Sequence, residues 1–362
     1  MFSSRTALTH TAVKLGYSIS RNLVRAMSIP ATQYGFVFTK KDGLKIRENM
    51  PVLEPKADQV LLKVDAVGLC HSDLHAIYDG FDFGDNYVMG HEIAGTIVKK
   101  GAMVDFWDLN TRVACFGPNS CGHCQLCRTG FENDCINVVN GWFGLGKNGG
   151  YQQYLLVEKP RNLVAIPDNV ELSDAAAITD ALLTPYHAMR LAGVRSGTKL
   201  LQIGAGGLGV NGIQIAKAFG AQVTVIDKKP EAVDVAKSLG ADEVYSALPE
   251  STSPGSFDVA IDYVSTQGTF DTCQKYVRSK GNIVPVGLAA PRISFNLGDL
   301  ALREINVLGS FWGTSSDLKE CFDLVSKGKV KPKVTVAPLK QLPEYIVKLQ
   351  NSAYEGRVVF KP

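Results

Sequence analysis

A chain of 362 residues, 45% hydrophobic and 20% charged, has the composition of a globular protein and is long for one core, so two domains are expected. No uninterrupted apolar run approaches the roughly 18 residues of a membrane helix, which argues against membrane insertion. The formal charge of +3 sits at the start: residues 1–27 carry Arg5, Lys14, Arg21 and Arg25 and no acid, and without these four the 38 basic residues fall below the 35 acidic ones. The rest is nearly neutral and offers no basic stripe to a nucleic acid.

Within residues 1–27, Leu8, Ala12, Leu15, Ile19 and Leu23 recur at helical spacing, with Lys14, Arg21 and Arg25 on the opposite face. An amphipathic, Arg-bearing, acid-free segment reads as a mitochondrial leader, cleaved before Ser28. A disordered tail, or sequence ahead of a start at Met27 in a cytoplasmic protein, is the alternative. The segment lacks the apolar core of a secretory signal, so the eight cysteines are expected in a reducing compartment.

Short alternating strands are predicted at Tyr34–Phe38, Val60–Val67, Ala94–Val98 and Tyr151–Val157, separated by Gly, Pro, Asn and Asp. An Ala-rich helical stretch follows over Ser173–Arg190. From Lys199 onward apolar strands alternate with helices: Leu200–Ile203, Val223–Ile226, Val259–Ile261, Ile283–Val286 and Val307–Leu308. That alternation predicts an α/β domain with a parallel sheet covered on both faces. A last strand over Gly356–Phe360 is expected to return to the first, β-rich domain.

Three motifs carry chemistry. Cys70, His91 and Glu92, with Ser72, Asp73 and His75 beside them, supply donors for a metal and groups for moving protons, although Cys70 and His91 alone would pass for core residues. Cys121, Cys124, Cys127 and Cys135 are spaced for a closed tetrahedral zinc site with a structural role. Disulfides, an iron–sulfur cluster or the zinc ribbon of a binding module are the alternatives. Finally, Gly204, Gly206, Gly207, Leu208 and Gly209 follow a strand and open a helix, and Asp227 ends the next strand. Such a loop brings backbone N–H groups to a pyrophosphate, and the carboxylate accepts from the ribose hydroxyls, which favours NAD over NADP. Lys228 and Lys229 beside Asp227 soften that preference.

In this order the motifs resemble the medium-chain zinc-dependent alcohol dehydrogenases from about Tyr34 to Pro362. The detail is most similar to the yeast NADH-dependent carbonyl reductases, or secondary-alcohol dehydrogenases, through Tyr87–Glu92, Trp142–Gly146, Ala289–Pro291 and Gly309–Thr314. The resemblance implies a GroES-like catalytic domain over 28–180 and 322–362 and an NAD-binding Rossmann domain over 181–321. It also implies two zinc ions per chain. By resemblance Cys70, His91 and Asp180 are the catalytic zinc ligands, with Glu92 able to approach the metal and Asp73 orienting the histidine. Much of the family has a cysteine where this chain has Asp180; either residue binds as a monoanion. Ser72 and His75 match the proton relay, His71 and Arg357 the pyrophosphate contacts, and Phe81, Leu145 and Trp312 the substrate pocket.

The implied reaction is hydride transfer between NAD(H) and secondary alcohols or ketones, with aldehydes and primary alcohols as lesser substrates. A polyol dehydrogenase or a non-catalytic zinc- and NAD-binding protein is the alternative. No macromolecular partner other than a second copy is implied, as a dimer or tetramer.

Overall fold

A computed structural model describes residues 28–138, 141–351 and 356–362; the expected leader lies outside them. A seven-stranded sheet runs in the order Leu163–Ala165, Arg112–Cys115, Glu92–Lys100, Val60–Leu69, Arg357–Lys361 and Val334–Pro338, with Tyr154–Val157 also paired to Val60–Leu69. Val60–Leu69 is its spine. Nearly every residue in that strand is buried, as expected where both faces are covered. The returning strand pairs antiparallel with it, Val359 opposite Gly68. A three-stranded sheet, Gly43–Pro51, Thr32–Thr39 and Tyr87–Val88, accompanies it. The strand expected from Tyr151 begins only at Tyr154, because Tyr151 is spent on a backbone bond to Met89.

The second large sheet has six parallel strands in the order Glu243–Tyr245, Gln222–Ile226, Lys199–Ile203, Phe257–Asp262, Val277–Pro285 and Asn306–Val307. Numbered along the chain this is 3-2-1-4-5-6, the doubly wound order, and the direction of winding reverses beside Lys199–Ile203. In this topology a ligand crevice is expected there, outside the carboxyl ends of the strands, and the Gly204–Gly209 loop leaves the sheet at that point.

The helical stretch after Leu172 joins the two sheets. Ala175, Ala176, Ala177, Leu182, Leu183 and Met189 are all buried, in one core with Ala66 and Ala94 of the first sheet and Leu200 and Val223 of the second. The helix expected over Ser173–Arg190 is present but interrupted: Leu172–Ala177 and Leu183–Leu191 are α-helical, and Ile178–Leu182 forms a π turn. A wider turn of this kind re-aims the side chains it carries and often marks a functional position. Asp180 lies at its centre. Among the described residues no helix is long and apolar enough to cross a membrane.

Candidate active site

Cys70 directly follows the spine strand and is the N-cap of the helix His71–Tyr78, so the strand end fixes its Cα at the start of the helix. Glu92 opens the neighbouring strand with His91 just before it, and the π turn supplies Asp180. Cys70 Sγ lies 3.2 Å from Asp180 Oδ2, and His91 Nε2 lies 3.7 Å from the same oxygen. Two donors bound to one tetrahedral zinc at about 2.0 to 2.3 Å are roughly 3.3 to 3.7 Å apart, so these three side chains fit a single ion. Glu92 completes the group, with all four donor atoms inside 4.8 Å.

Each donor is oriented by another residue. Thr184, one turn after Asp180, donates to Asp180 Oδ1 at 2.6 Å and leaves Oδ2 facing the cysteine and histidine. Asp73 Oδ1 lies 3.4 Å from His91 Nδ1, so Nε2 is the nitrogen directed into the cluster. The other oxygen of Asp73 accepts from the Cys70 backbone N–H at 3.0 Å and from the Tyr151 hydroxyl at 2.9 Å. Tyr151 is fully buried. Burial disfavours a charged imidazole, but Asp73, Asp180 and Cys70 outweigh it and hold the His91 pKa well above its ordinary value. Asp180 is pulled the other way: burial favours its neutral form, yet His91, Arg357 and Thr184 keep it anionic far below the usual carboxylate range.

Arg357 links this cluster to the glycine loop. Its Nε lies 3.1 Å from Glu92 Oε1, its Nη2 is 3.6 Å from Asp180 Oδ2, and its Nη1 donates to the Leu69 carbonyl. A Cβ on Gly207 would come within 3.5 Å of that guanidinium, whereas one on Gly206 would meet open space. Gly209 packs so closely on Gly204 that a Cβ there would sit 2.1 Å from the Gly204 carbonyl oxygen. The loop thus has the bare backbone a pyrophosphate requires. Asp227 accepts from the Ala205 N–H at 2.8 Å and the Lys229 N–H at 2.9 Å, which pins its carboxylate at the loop's edge. Lys228 follows it, exposed. His71 lies at the surface, but burial of its ring, then Arg357, His75 and Lys229, lower its pKa to about 4.

Ser72 Oγ is 3.7 Å from Cys70 Sγ, and His75, one helical turn further on, bonds through Nδ1 to Asp79 at 2.6 Å. Phe81 lies against His75 with ring centroids 5.2 Å apart, and from it aromatic rings run in sequence through Phe83, Trp142, Phe311 and Trp312 to His91. Leu145 is buried beside Gly144, where a Cβ would sit 2.3 Å from the Gly90 carbonyl carbon and 2.7 Å from the His91 nitrogen. Trp312 has φ +53°, a left-handed conformation that costs about 1 to 2 kcal/mol for a residue with a Cβ. Its Nε1 donates to the Thr179 carbonyl at 2.8 Å, and its ring occupies the space a Cβ on Gly117 would need, 1.9 Å away. The neighbouring π-turn carbonyl, Ala181, accepts from Asn211 at 2.9 Å.

The four cysteines form a separate lobe. Cys121 and Cys127 sulfurs are 3.9 Å apart, as are those of Cys124 and Cys135, and all four lie within 4.8 Å of one another. Four thiolates around zinc are about 3.8 Å apart, whereas a disulfide needs about 2.05 Å. The disulfide alternative is thereby corrected: all eight cysteines are free. Backbone N–H groups of Cys121 and Cys124 point at the sulfurs of Cys135 and Cys121.

Residues missed by sequence reasoning are Thr184, Tyr151, Asp79 and the rings of Phe83, Trp142 and Phe311. Thr184 and Asp79 carry a signal, each standing four residues after a partner in a helical stretch, and Trp142 and Phe311 lie within the stretches that carry the family resemblance; Tyr151 and Phe83 have none.

Family models place the site in context. Residues 56–168 match the alcohol dehydrogenase GroES-like domain and residues 207–327 the zinc-binding dehydrogenase domain. An alcohol dehydrogenase of Geobacillus stearothermophilus is 33% identical over 89% of this chain and 96% of its own. The chain belongs to the medium-chain, zinc-dependent alcohol dehydrogenases. Among solved members, the acetophenone reductase of Geotrichum candidum in complex with NAD is 43% identical, with a TM-score of 0.88 over 92% of this chain and 98% of that one. An NAD-dependent alcohol dehydrogenase of Sulfurisphaera tokodaii is 33% identical over 87% of this chain and 96% of its own.

Proposed function

We propose that this member of the family is an NAD-dependent carbonyl reductase acting on ketones and secondary alcohols, with aldehydes and primary alcohols as lesser substrates. The observation that carries the reading is the meeting of Cys70, His91 and Asp180 beside a dinucleotide loop, with Arg357 reaching both. When bound, zinc acts as a Lewis acid on a carbonyl oxygen and NADH supplies the hydride. Cys70 and Asp180 contribute two anions that balance the ion's charge, and Asp73 holds His91 in the ligating tautomer.

In ketone reduction His75, with Nδ1 tied to Asp79, would take a proton from solvent at Nε2, and Ser72 beside the cluster would hand it to the substrate oxygen, with the nicotinamide ribose between the two; alcohol oxidation runs the route in reverse. The run of aromatic rings from Phe81 to Trp312, stacked between Phe81 and Phe83 and tilted or edge-on thereafter, supplies an apolar surface suited to an aryl or branched ketone, and it speaks against a polyol. The acetophenone reductase in its NAD complex is consistent with that surface. Asp227 supports NAD over NADP, since its carboxylate would repel a 2′-phosphate. Import into mitochondria through residues 1–27 and assembly as a homo-oligomer belong to the same reading; the leader's acid-free amphipathic composition supports the first.

The test is NADH oxidation against acetophenone, acetone, aldehydes and ketoses, with zinc measured on the same sample. Ketone turnover with two zinc ions per chain is expected. Faster turnover of ketoses would move the assignment to a polyol dehydrogenase, and zinc and NADH binding without turnover would make the chain a non-catalytic relative.

A further inference from the structure

The four-cysteine lobe touches the Trp312 segment at three points. Gly117, four residues before Cys121, gives up the space of a Cβ to the indole. Asn133 Nδ2 donates to the Phe311 carbonyl at 3.0 Å. Glu132 Oε1 accepts from the Ser315 backbone N–H at 2.8 Å and from the Ser315 hydroxyl at 2.5 Å. Glu132 and Asn133 lie in the short turn Glu132–Asp134 that leads directly into Cys135, and both are buried.

These bonds do more than cap a helix. The helix Ser315–Ser326 already has its own cap: Thr314 accepts from the Asp317 N–H at 3.1 Å, and Asp317 accepts in return from the Thr314 N–H at 3.0 Å. What Glu132 and Asn133 add is a fixed position for the residues on either side of Trp312. That residue needs fixing, because its left-handed backbone is unfavourable unless its surroundings hold it there. Trp312 in turn touches both halves of the metal cluster, His91 through its ring edge at 5.5 Å and the π turn of Asp180 through the Thr179 carbonyl.

We infer that Glu132 and Asn133 are positioning residues for Trp312, so that the four-cysteine lobe sets which ketones the catalytic cleft accepts. The inference rests on the reading of Trp312 as part of the substrate wall. A lobe that shifts or loses its metal carries Glu132 and Asn133 with it, and the indole moves relative to His91.

The experiment compares kcat/KM for acetophenone and for acetone in the holoenzyme and in Glu132→Ala, Glu132→Gln, Asn133→Asp and Trp312→Ala, with zinc content and melting temperature recorded. Glu132→Ala and Asn133→Asp are expected to change the acetophenone-to-acetone ratio by about tenfold, in the direction of Trp312→Ala and with two zinc ions retained. Glu132→Gln keeps an acceptor oxygen for Ser315 and should restore most of the ratio. Asn133→Asp replaces the donor to Phe311 with a carboxyl oxygen that faces the same carbonyl, so it breaks this contact independently and carries the test if Glu132→Ala does not fold. An equal fall for both ketones, or an unchanged ratio in folded Glu132→Ala and Asn133→Asp while Trp312→Ala shifts it, overturns the coupling. An unchanged ratio in Trp312→Ala overturns the substrate-wall reading itself, and the inference with it.

Discussion

The two cysteine-bearing sites of this chain are built on opposite principles. The four-cysteine lobe draws all its donors from Cys121–Cys135, keeps two of them partly exposed, and surrounds them with backbone N–H groups. The Cys70 cluster gathers donors from a strand end, a neighbouring strand and a π turn, with 110 residues between Cys70 and Asp180, and every member is buried. A site built from one loop can close completely around its ion. The other is held in shape by residues that never touch the ion, such as Asp73, Tyr151 and Thr184, and it can leave a position open for substrate. Closure thus goes with structure, and outside support with catalysis.

Metal removal should break the comparison most visibly. With Glu92 held by Arg357, Cys70, His91 and Asp180 would leave one position of a tetrahedral zinc open to a chelator, whereas four thiolates would leave none. Progressive chelation is expected to abolish turnover as the first zinc leaves, with the second retained; metal analysis alongside initial rates checks it. Loss of the lobe's zinc first, with full activity, would reverse the assignment of the two sites.

A subtler perturbation tests the outside support. Tyr151→Phe removes the hydroxyl on Asp73 while keeping the ring that packs against Gly90. Its expected effect is an approximately tenfold weaker hold on the catalytic zinc, read by competition with a metal indicator, and no change at the lobe.

The smallest effect belongs to a group in neither ligand set. His71, with its pKa lowered to about 4, is uncharged at neutral pH. A pyrophosphate bound beside it raises that pKa, so the complex takes up a proton. NADH affinity then rises as pH falls through the complex's pKa and levels off once the free protein is also protonated. Each unit of separation is worth about tenfold. Fluorescence titration of NADH at several pH values should show this slope, and His71→Leu should flatten it.

The sequence made the local site plain because thiolates three to eight residues apart in a Gly-rich loop have few other uses. It also disclosed the dinucleotide loop, whose glycines, following strand and terminal Asp227 are all set by short-range geometry. Five of the six strands of the parallel sheet were legible from alternation with helices, but the three-residue edge strand Glu243–Tyr245 was too short to stand out; the return of the last strand to the first sheet was legible from its position after them. The Cys70 cluster became readable only through likeness to a family, since no spacing rule joins Cys70 to Asp180. The π turn carries no sequence mark: Ile178–Leu182 looks like any apolar helix. Glu132 and Asn133 were silent as well, because their partners lie about 180 residues away and the contact exists only once both sheets are folded.

The central claim, that Asp180 completes a catalytic zinc site with Cys70 and His91, is tested most directly by zinc stoichiometry and turnover in Asp180→Ala and Asp180→Cys. Removing the carboxylate leaves two protein ligands where a catalytic zinc site has three. Asp180→Ala should therefore hold about one zinc per chain, bind NADH, and lose turnover by roughly three orders of magnitude or more. Asp180→Cys should recover the second zinc and much of the rate, because thiolate supplies the same charge. Two zinc ions and full turnover in Asp180→Ala would contradict the account.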